Sequence, residues 1–205
     1  MKTNTRKPII AVDIDDVIIE TARLLTDRYN EQYGTGVALK DFYGDDLKLW
    51  KAPDHDTLIH RFNSYFETDE YQNSSPAQET IDALRRLNER FELHIVTGRP
   101  DHYEAATLRY LERHAPDLFK TVIFSNMFKL SNSKNPTRGK GEICVEIGAS
   151  YLIDDHIKHI ESAAAAGVTG LLFGDFPWSH GKELPPDAVR VADWAAVLEY
   201  FDGRD

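Results

Sequence analysis

Five short apolar runs rich in β-branched residues recur along this chain, and helical patterns separate them. Their hydrophobicity is nearly continuous, which is typical of strands in a parallel sheet that is covered on both faces. The runs occupy residues 9–12, 93–96, 121–124, 151–153 and 168–173. This alternation predicts an α/β fold with a doubly wound parallel sheet of strand order 3-2-1-4-5, in which ligands bind at the carboxyl ends of the strands.

Amphipathic helical patterns fill the intervals between these runs. Residues 79–90 carry apolar side chains at three-residue spacing, and Ala105, Leu108 and Leu111 repeat that spacing after the second run. Such spacing predicts helices whose apolar side chains lie on one face and pack on the sheet.

The interval after the first run breaks this regular alternation, because it is long enough for two or three additional helices. We interpret residues 18–76 as a small helical cap inserted after the first strand, and residues 1–17 with 77–205 as the α/β core. Within the cap, residues 57–71 form a helical pattern with an apolar side. That side carries Leu58, Ile59, Phe62 and Phe66.

The carboxyl-terminal part of the chain carries two of its tryptophans. Residues 191–201 form an amphipathic pattern, which predicts a final helix. We expect Trp178 and Trp194 to pack this segment against the core.

The net charge limits the kinds of binding partner that this protein can have. Its 205 residues include 24 Lys and Arg against 34 Asp and Glu, a formal net charge of −10. Binding of a long nucleic acid or an anionic membrane depends on many basic side chains, so both are disfavoured. The chain has no run of ~18 to 20 apolar residues, and its polar start, residues 1–8, lacks the pattern of a signal peptide. We therefore expect a cytoplasmic protein.

Carboxylates cluster at the ends of two of the runs. Asp13 and Asp15 follow the first run and point the same way, because side chains alternate along a strand. Taken alone, this stretch fits a helix cap as well as it fits paired catalytic carboxylates. Asp154 and Asp155 end the fourth run, which lies beside the first in the expected order. Converging carboxylates resist joint ionisation unless a cation neutralises them, and an all-oxygen set favours Mg²⁺.

Two further segments offer donors for an anion. Thr97 and Gly98 follow the second run and supply a hydroxyl and turn N–H groups suited to phosphate oxygens. Arg99, next in the chain, fits either a lining of the phosphate approach or an ordinary turn. Lys140 begins the helix that leads to the fourth strand. We prefer it as the phosphate lysine to its neighbours in the preceding loop, Lys129 and Lys134.

Taken in order, these segments resemble the four motifs of the haloacid-dehalogenase-like phosphohydrolase superfamily. The motifs match Asp13-Ile14-Asp15-Asp16-Val17, then Thr97, Lys140 and Asp154-Asp155, within residues 8–175. Asp16 and Val17 depart from the pattern, since many members have Gly and Thr there. The resemblance implies a Rossmann-like core.

The resemblance also implies a role for each matched residue. Asp13 would be the nucleophile and Asp15 the general acid and base, while Thr97 and Lys140 would hold the phosphoryl group. The implied Mg²⁺ ligands are Asp13, Asp155 and the backbone carbonyl of Asp15, with Asp154 ligating directly or through water. An acidic residue two positions after the nucleophile points to phosphoester hydrolysis or phosphomutation.

The cap provides the main information about the substrate. Phe42, Tyr43 and Trp50 offer flat apolar surfaces that suit either a stacked nucleobase or the interior of the cap itself. The small cap, the chain length and residues 175–178 after the fifth run look like the 5′(3′)-deoxyribonucleotidase branch and its bacterial nucleotidase-like relatives. This second resemblance implies a magnesium-dependent nucleotidase that acts on (deoxy)nucleoside monophosphates.

Two alternatives stay open at this point. One is a phosphatase of another small metabolite, such as a sugar phosphate or phosphoglycolate. The other is a catalytically silent binding protein on the same fold. The sequence makes no prediction about the oligomeric state.

Overall fold

The computed structural model describes residues 7–44 and 46–203, and it contains a parallel sheet. Part of the polar start, residues 1–6, and the last two residues of the expected core, 204–205, lie outside the described residues. The strands are β1 (Ile9–Val12), β2 (Glu92–Thr97), β3 (Val122–Phe124), β4 (Ala149–Asp154), β5 (Thr169–Phe173) and β6 (Val189–Val191). Their spatial order is β3-β2-β1-β4-β5-β6. The five predicted strands and their order are confirmed.

The central position of β1 determines where its carboxyl end lies. Val12 pairs with Ile95 of β2 on one side and with Ile153 of β4 on the other. The three strands therefore end side by side, and the residues that follow them meet at one edge of the sheet.

The sixth strand was not predicted from the sequence. Val189–Val191 pairs with β5 in parallel, and the charged Arg190 interrupts its apolar residues, so the sequence shows no continuous apolar run there. The expected helix at 191–201 was therefore wrong at its start, because Val191 belongs to this strand. The final helix begins at Trp194, where the Asp193 carboxylate accepts a hydrogen bond from the Ala196 N–H as its cap.

Helices cover both faces of the sheet, as a doubly wound fold requires. They are α1 (Thr21–Tyr33), α2 (His55–Tyr65), α3 (Asp69–Asn73), α4 (Gln78–Arg90), α5 (Glu104–His114), α6 (Lys140–Ile147), α7 (Ile157–Ala165) and α8 (Trp194–Asp202). The predicted face of α5 was wrong in two of its three residues, because Ala105 is exposed and Leu108 is 41% exposed. Its buried side carries Ala106, Thr107, Tyr110 and Leu111, whose spacing follows the 3.6-residue helical period.

The segment between β1 and α4 contains α1, α2 and α3. Residues 57–71, expected as one helical stretch, form two helices, because α2 ends at Tyr65 and the Thr68 hydroxyl caps α3. A separate apolar cluster lies inside this segment and includes Tyr29, Val37 and Trp50. The cluster is consistent with a cap, but the division of the chain into core and cap remains our interpretation.

Hydrogen bonds fasten α3 to α5. The Gln72 side chain donates to the backbone carbonyl of Ala106 at 3.0 Å, and the Tyr110 hydroxyl donates to that of Ser74 at 3.0 Å. None of the helices in the described ranges is long and apolar enough to cross a membrane.

Candidate active site

Asp13 lies directly after the central strand β1, and its side chain is held by two donors. The Ile14 N–H donates to Oδ1 at 2.8 Å, and the Lys140 ammonium lies 2.8 Å from Oδ2. The Asp13 N–H itself donates to the Ile153 carbonyl at 3.0 Å, so the backbone is fixed by β4. Burial raises the pKa of Asp13 to about 7, although Lys140 opposes this shift.

Asp13, Asp154 and Asp155 form one buried carboxylate cluster. Each offers an oxygen, and these oxygens lie within 4.8 Å of one another. The Lys140 ammonium, 2.7 Å from Asp154 Oδ2, contacts two members of the cluster. Despite the cost of burial, this lysine holds the pKa of Asp154 below its usual range.

The cluster carries more negative charge than this lysine neutralises. Burial and the neighbouring carboxylates raise the pKa of Asp155 well above its usual value. A bound divalent cation would reduce the repulsion among these carboxylates by neutralising the excess charge. Three carboxylate oxygens suit a hard cation. The residues therefore fit the metal site implied by the sequence motifs.

Trp178 contributes to this cluster in a way that the sequence did not indicate. Its indole N–H donates to Asp155 Oδ2 at 2.8 Å, and its ring stacks on Phe176 at 4.7 Å. The expectation that Trp178 packs the carboxyl-terminal segment is not confirmed, because its ring contacts are with Phe176, Phe42 and Tyr43. Trp194 does pack there, since it is buried and lies in the main core with Phe201.

The Asp15 side chain lies outside the three-carboxylate cluster. It forms an ion pair with Arg99, whose Nη2 lies 2.6 Å from Oδ1 and whose Nε donates to Oδ2 at 3.0 Å. The Thr21 hydroxyl also donates to Oδ1, at 2.6 Å. Burial alone would raise the pKa of Asp15, but the Arg99 guanidinium overcomes it and lowers the pKa. The role of the Asp15 backbone carbonyl as a metal ligand remains a prediction.

Asp16 explains one departure from the expected motif. Its backbone has φ 59°, in the left-handed region that favours glycine, and many related proteins are expected to have glycine here. Asp tolerates this conformation better than most residues. The Asp16 carboxylate accepts the Ala22 N–H at 3.0 Å, near the start of α1, which compensates for the strained backbone.

The predicted phosphate-binding residues lie at the same edge of the sheet. Thr97 ends β2 and is fully buried, and its Oγ1 accepts the Arg99 N–H at 3.2 Å. Gly98 lies under Phe128, whose ring would be 3.1 Å from an added Cβ. A side chain at position 98 would therefore push Phe128 away.

Among the three candidate lysines, Lys140 is the one that contacts Asp13. Lys129 donates to the carbonyl of Asn135, and Lys134 is exposed. Lys140 is the first residue of α6, and its burial is nearly complete at 1% exposure. Burial disfavours its charge, but Asp13 and Asp154 raise its pKa above the usual value.

A cavity of about 180 Å³ lies beside Asp15, under the α1–α3 segment. The apolar side of α2 predicted from the sequence lines it. The apolar lining includes Leu58, Ile59, Phe62, Phe66, Phe42 and Phe128. The polar and charged residues of the lining are Asp15, Asp16, Thr21, Arg99, His55 and Asn63.

The three aromatic residues proposed for substrate contact differ in their placement. Phe42 and Tyr43 line the cavity. Trp50 is 1% exposed and packs against Tyr29 and Phe62 in the interior of the segment. The expected contact between Trp50 and substrate is therefore not supported, because its indole belongs to the apolar cluster that holds the segment together.

Sequence reasoning also missed Phe128 and Asn63. The Asn63 side chain donates to the Phe128 carbonyl at 2.9 Å, which joins α2 to the loop after β3. The position of this loop at the carboxyl end of a strand was the available signal for Phe128. For Trp178 the corresponding signal was its place after β5, the neighbour of the strand that carries Asp155.

The chain resembles known proteins along nearly its whole length. The family described as 5' nucleotidase, deoxy (Pyrimidine), cytosolic type C matches residues 7–201. A protein from Staphylococcus epidermidis, provisionally named a 5'(3')-deoxyribonucleotidase, is 24% identical over 195 residues. The aligned part covers 94% of this chain and 95% of that relative.

Solved structures share the fold. A haloacid dehalogenase-like hydrolase from Streptococcus pneumoniae has a TM-score of 0.67 at 15% identity, over 95% of this chain and 98% of the other. A protein from Bacillus subtilis, provisionally named a hydrolase of the same superfamily and crystallised with magnesium, has a TM-score of 0.61 at 13% identity. That match covers 97% of this chain and 100% of the other.

These matches agree with the motifs read from the sequence and with the geometry at the strand ends. The structural neighbours establish the shared fold, and the family match spans nearly all of the sequence. The chain belongs to the family of deoxy (pyrimidine) 5' nucleotidases of cytosolic type C, within the haloacid-dehalogenase-like superfamily, and it is a phosphoric monoester hydrolase.

Proposed function

We propose that this protein is a Mg²⁺-dependent 5′-nucleotidase that hydrolyses (deoxy)nucleoside monophosphates through an aspartyl-phosphate on Asp13. The observation that carries the proposal is the position of Asp15. Its side chain lines the aromatic cavity, and it stands two residues from Asp13 at the end of the central strand. A planar leaving group in that cavity would therefore adjoin Asp15, and Asp13 lies two residues away at the end of the same strand.

The residues that would hold the metal are Asp13, Asp155 and the backbone carbonyl of Asp15, with Asp154 ligating directly or through water. When bound, Mg²⁺ supplies neutralisation of the negative charge on the phosphate and on the nucleophile. Trp178 supports this set by fixing Asp155 Oδ2.

Asp13 is suited to attack phosphorus because its position is fixed by its neighbours. The donors to its two oxygens orient the carboxylate, and the Lys140 charge favours its ionised form. One Asp13 oxygen would form the bond to phosphorus while the bond to the leaving oxygen breaks. Water would then hydrolyse the aspartyl-phosphate and release phosphate.

Two groups remain able to donate to the phosphoryl oxygens. The Lys140 ammonium has three donors, of which Asp13 and Asp154 engage two. Thr97 Oγ1 accepts the Arg99 N–H, so its own hydroxyl proton is free to donate. Both donors would stabilise the charge that shifts onto these oxygens during transfer.

Asp15 is the group that would exchange protons with the leaving group and water. The first step requires the protonated form of Asp15, which the ion pair with Arg99 disfavours, and this weakly held proton would pass to the departing alkoxide. In the second step, the resulting carboxylate would accept a proton from the attacking water, which restores the starting state. Its place in the cavity wall is the reason for this assignment.

A small substrate agrees with the charge of the chain. The net charge of −10 disfavours a long nucleic acid, whereas a single phosphoryl group needs only local cations. The monophosphate ester is thus the proposed partner.

A substrate panel tests the proposal directly. We expect phosphate release from deoxynucleoside 5′- or 3′-monophosphates with Mg²⁺. Little phosphate should be released with a chelator, and none by Asp13→Asn. Sugar phosphates and phosphoglycolate belong in the same panel. Preference for either of these over every nucleotide would refute the proposed substrate.

A variant of the cavity mouth tests the nucleoside contact. Phe128→Ala should raise KM for nucleotides but leave KM for glycerol phosphate unchanged, because only the nucleoside reaches the aromatic wall. Met127→Ala is the matched control, since Met127 is similarly exposed at 40% and its side chain is not part of the described lining. Equal effects of both variants would contradict the contact.

A further inference from the structure

Arg99 is a buried cation with an unusually complete set of partners. It is 1% exposed, and its guanidinium contacts Asp15 through both Nε and Nη2. Nη1 donates to the Thr107 hydroxyl of α5 at 3.3 Å. Such a bidentate contact fixes the plane of a carboxylate, which a single point charge would not do.

The other contacts of Arg99 come from the α2–α3 segment. Its Cζ lies 4.0 Å from the centre of the Phe66 ring, and its Nη2 donates to the Tyr71 hydroxyl. Tyr71 is fully buried and packs against Phe66 and Tyr110. The guanidinium is thus held on one side by the aromatic segment and on the other by the core.

The acceptor sites of Asp15 show what this arrangement achieves. An ionised carboxylate offers about four lone-pair sites. Two are used by Arg99 and one by the Thr21 hydroxyl. One site therefore remains, where a water can donate to the carboxylate or where the carboxyl proton would lie, and its direction is set by the other three contacts.

We propose that Arg99 is a positioning residue that orients Asp15 toward the leaving group and links that orientation to Phe66 and Tyr71. The proposal rests on the role of Asp15 as general acid and base in the proposed function. Arg99 itself does not exchange a proton or contact the phosphoryl group in this scheme. A lysine at position 99 would keep the positive charge but lose the bidentate contact with Asp15.

A comparison of two leaving groups distinguishes a positioning role of Arg99 from a purely structural role, which would affect both rates equally. An alkoxide needs a proton from Asp15 to depart, whereas p-nitrophenolate departs without one. In Arg99→Lys, we expect kcat/KM with Mg²⁺ to fall roughly 10- to 100-fold for a primary alkyl phosphate, part of the usual contribution of general acid catalysis. It should fall much less for p-nitrophenyl phosphate.

Tyr71→Phe is a milder second variant, because it removes one hydroxyl and keeps the buried ring. We expect the same selective loss, smaller in size. The matched controls are Arg113→Lys and Tyr65→Phe. Arg113 of α5 donates to the Gln72 carbonyl of α3, and the Tyr65 hydroxyl of α2 bonds Glu70, so both contact the α2–α3 segment without touching Asp15. Both controls should leave the two rates unchanged.

Crystal structures of Arg99→Lys and Tyr71→Phe provide a test that does not depend on measuring activity. We expect Asp15 to adopt more than one side-chain orientation in Arg99→Lys. An unmoved, fully ordered Asp15 in that variant, or equal losses for the two phosphate esters, would overturn the proposal. Hydrolysis of the two esters by the wild type without hydrolysis of nucleotides would refute the proposed substrate alone and leave this comparison intact.

Discussion

Lys140 and Asp13 form a buried ion pair, with Nζ 2.8 Å from Oδ2 and side-chain exposures of 0% and 8%. The same ammonium contacts Asp154, so one cation serves two carboxylates at the carboxyl ends of neighbouring strands. Removing one member of such a buried group leaves the others without a counter-charge.

Lys140→Met should therefore destabilise the metal-free protein by about 3–5 kcal/mol in the free energy of unfolding. Added Mg²⁺ should restore more stability to this variant than to the wild type, because the carboxylates then have another cation. Denaturant unfolding with chelator and with Mg²⁺ measures both effects. Lys129→Met is the control, and a loss of the same size in that variant would contradict the special position of Lys140.

The pH dependence of the metal-free protein should reflect Asp13. Burial raises its pKa from 3.8 to about 7, so the folded state binds this proton more tightly than the unfolded state. The resulting stability is complete below pH 3.8 and is lost as pH rises to about 7. At 1.36 kcal/mol per pKa unit, the loss is about 4 kcal/mol at most.

Urea unfolding between pH 4 and 7 in the presence of a chelator measures this loss. Asp155 and Asp16 have pKa values raised in the same direction, so the decline should continue at higher pH. Asp154 has a lowered pKa, so it contributes stability above the ordinary pKa of an aspartate. That contribution is lost only as the pH falls below this value. Asp13→Asn should flatten the curve, and an unchanged slope in that variant would exclude Asp13 as its cause.

Trp178→Phe should weaken divalent-metal binding by roughly 10- to 100-fold, as expected for loss of a group that orients a metal ligand. The substitution keeps an aromatic ring beside Phe176 but removes the N–H that Asp155 accepts. Calorimetric titration with Mg²⁺ or Mn²⁺ measures the affinity. Trp194→Phe removes the N–H that bonds the Val17 carbonyl and should leave metal affinity unchanged. If both variants bind metal as the wild type does, the Trp178 contact is unimportant.

Gly141→Ala should be strongly destabilising because α6 and α7 lie too close for a side chain. An added Cβ would be 2.1 Å from the Ser162 carbonyl oxygen, so one helix must shift. Since Lys140 begins α6, the shift should also lower kcat. Gly139→Ala is the matched control, because its Cβ would make an ordinary 3.5 Å contact with the Ser162 hydroxyl. Thermal unfolding compares the two, and equal melting temperatures would refute the steric argument.

The sheet and the family motifs were predictable from the sequence because both depend on local patterns. Continuous apolar runs define strands β1 to β5, and carboxylates directly after β1 and β4 lie at the edge of the sheet that carries the site. The strand β6 was missed because Arg190 interrupts its apolar residues, whereas the equally short β3 lies in a continuous apolar run. Ala105 and Leu108 were placed on the wrong face because apolar character alone does not determine which side of α5 meets the sheet.

The sequence by itself determined the alternation of strands and helices, the order of the family motifs and the acidic residues at the strand ends, because these are local patterns and their order along the chain. It predicted the strand order through the topology typical of doubly wound sheets. The tertiary structure alone decided which groups those residues contact. Arg99 pairs with Asp15 across 84 positions, and Trp178 bonds Asp155 across 23. Such contacts depend on how separate elements pack, and a local pattern holds no information about a partner that is distant in the chain.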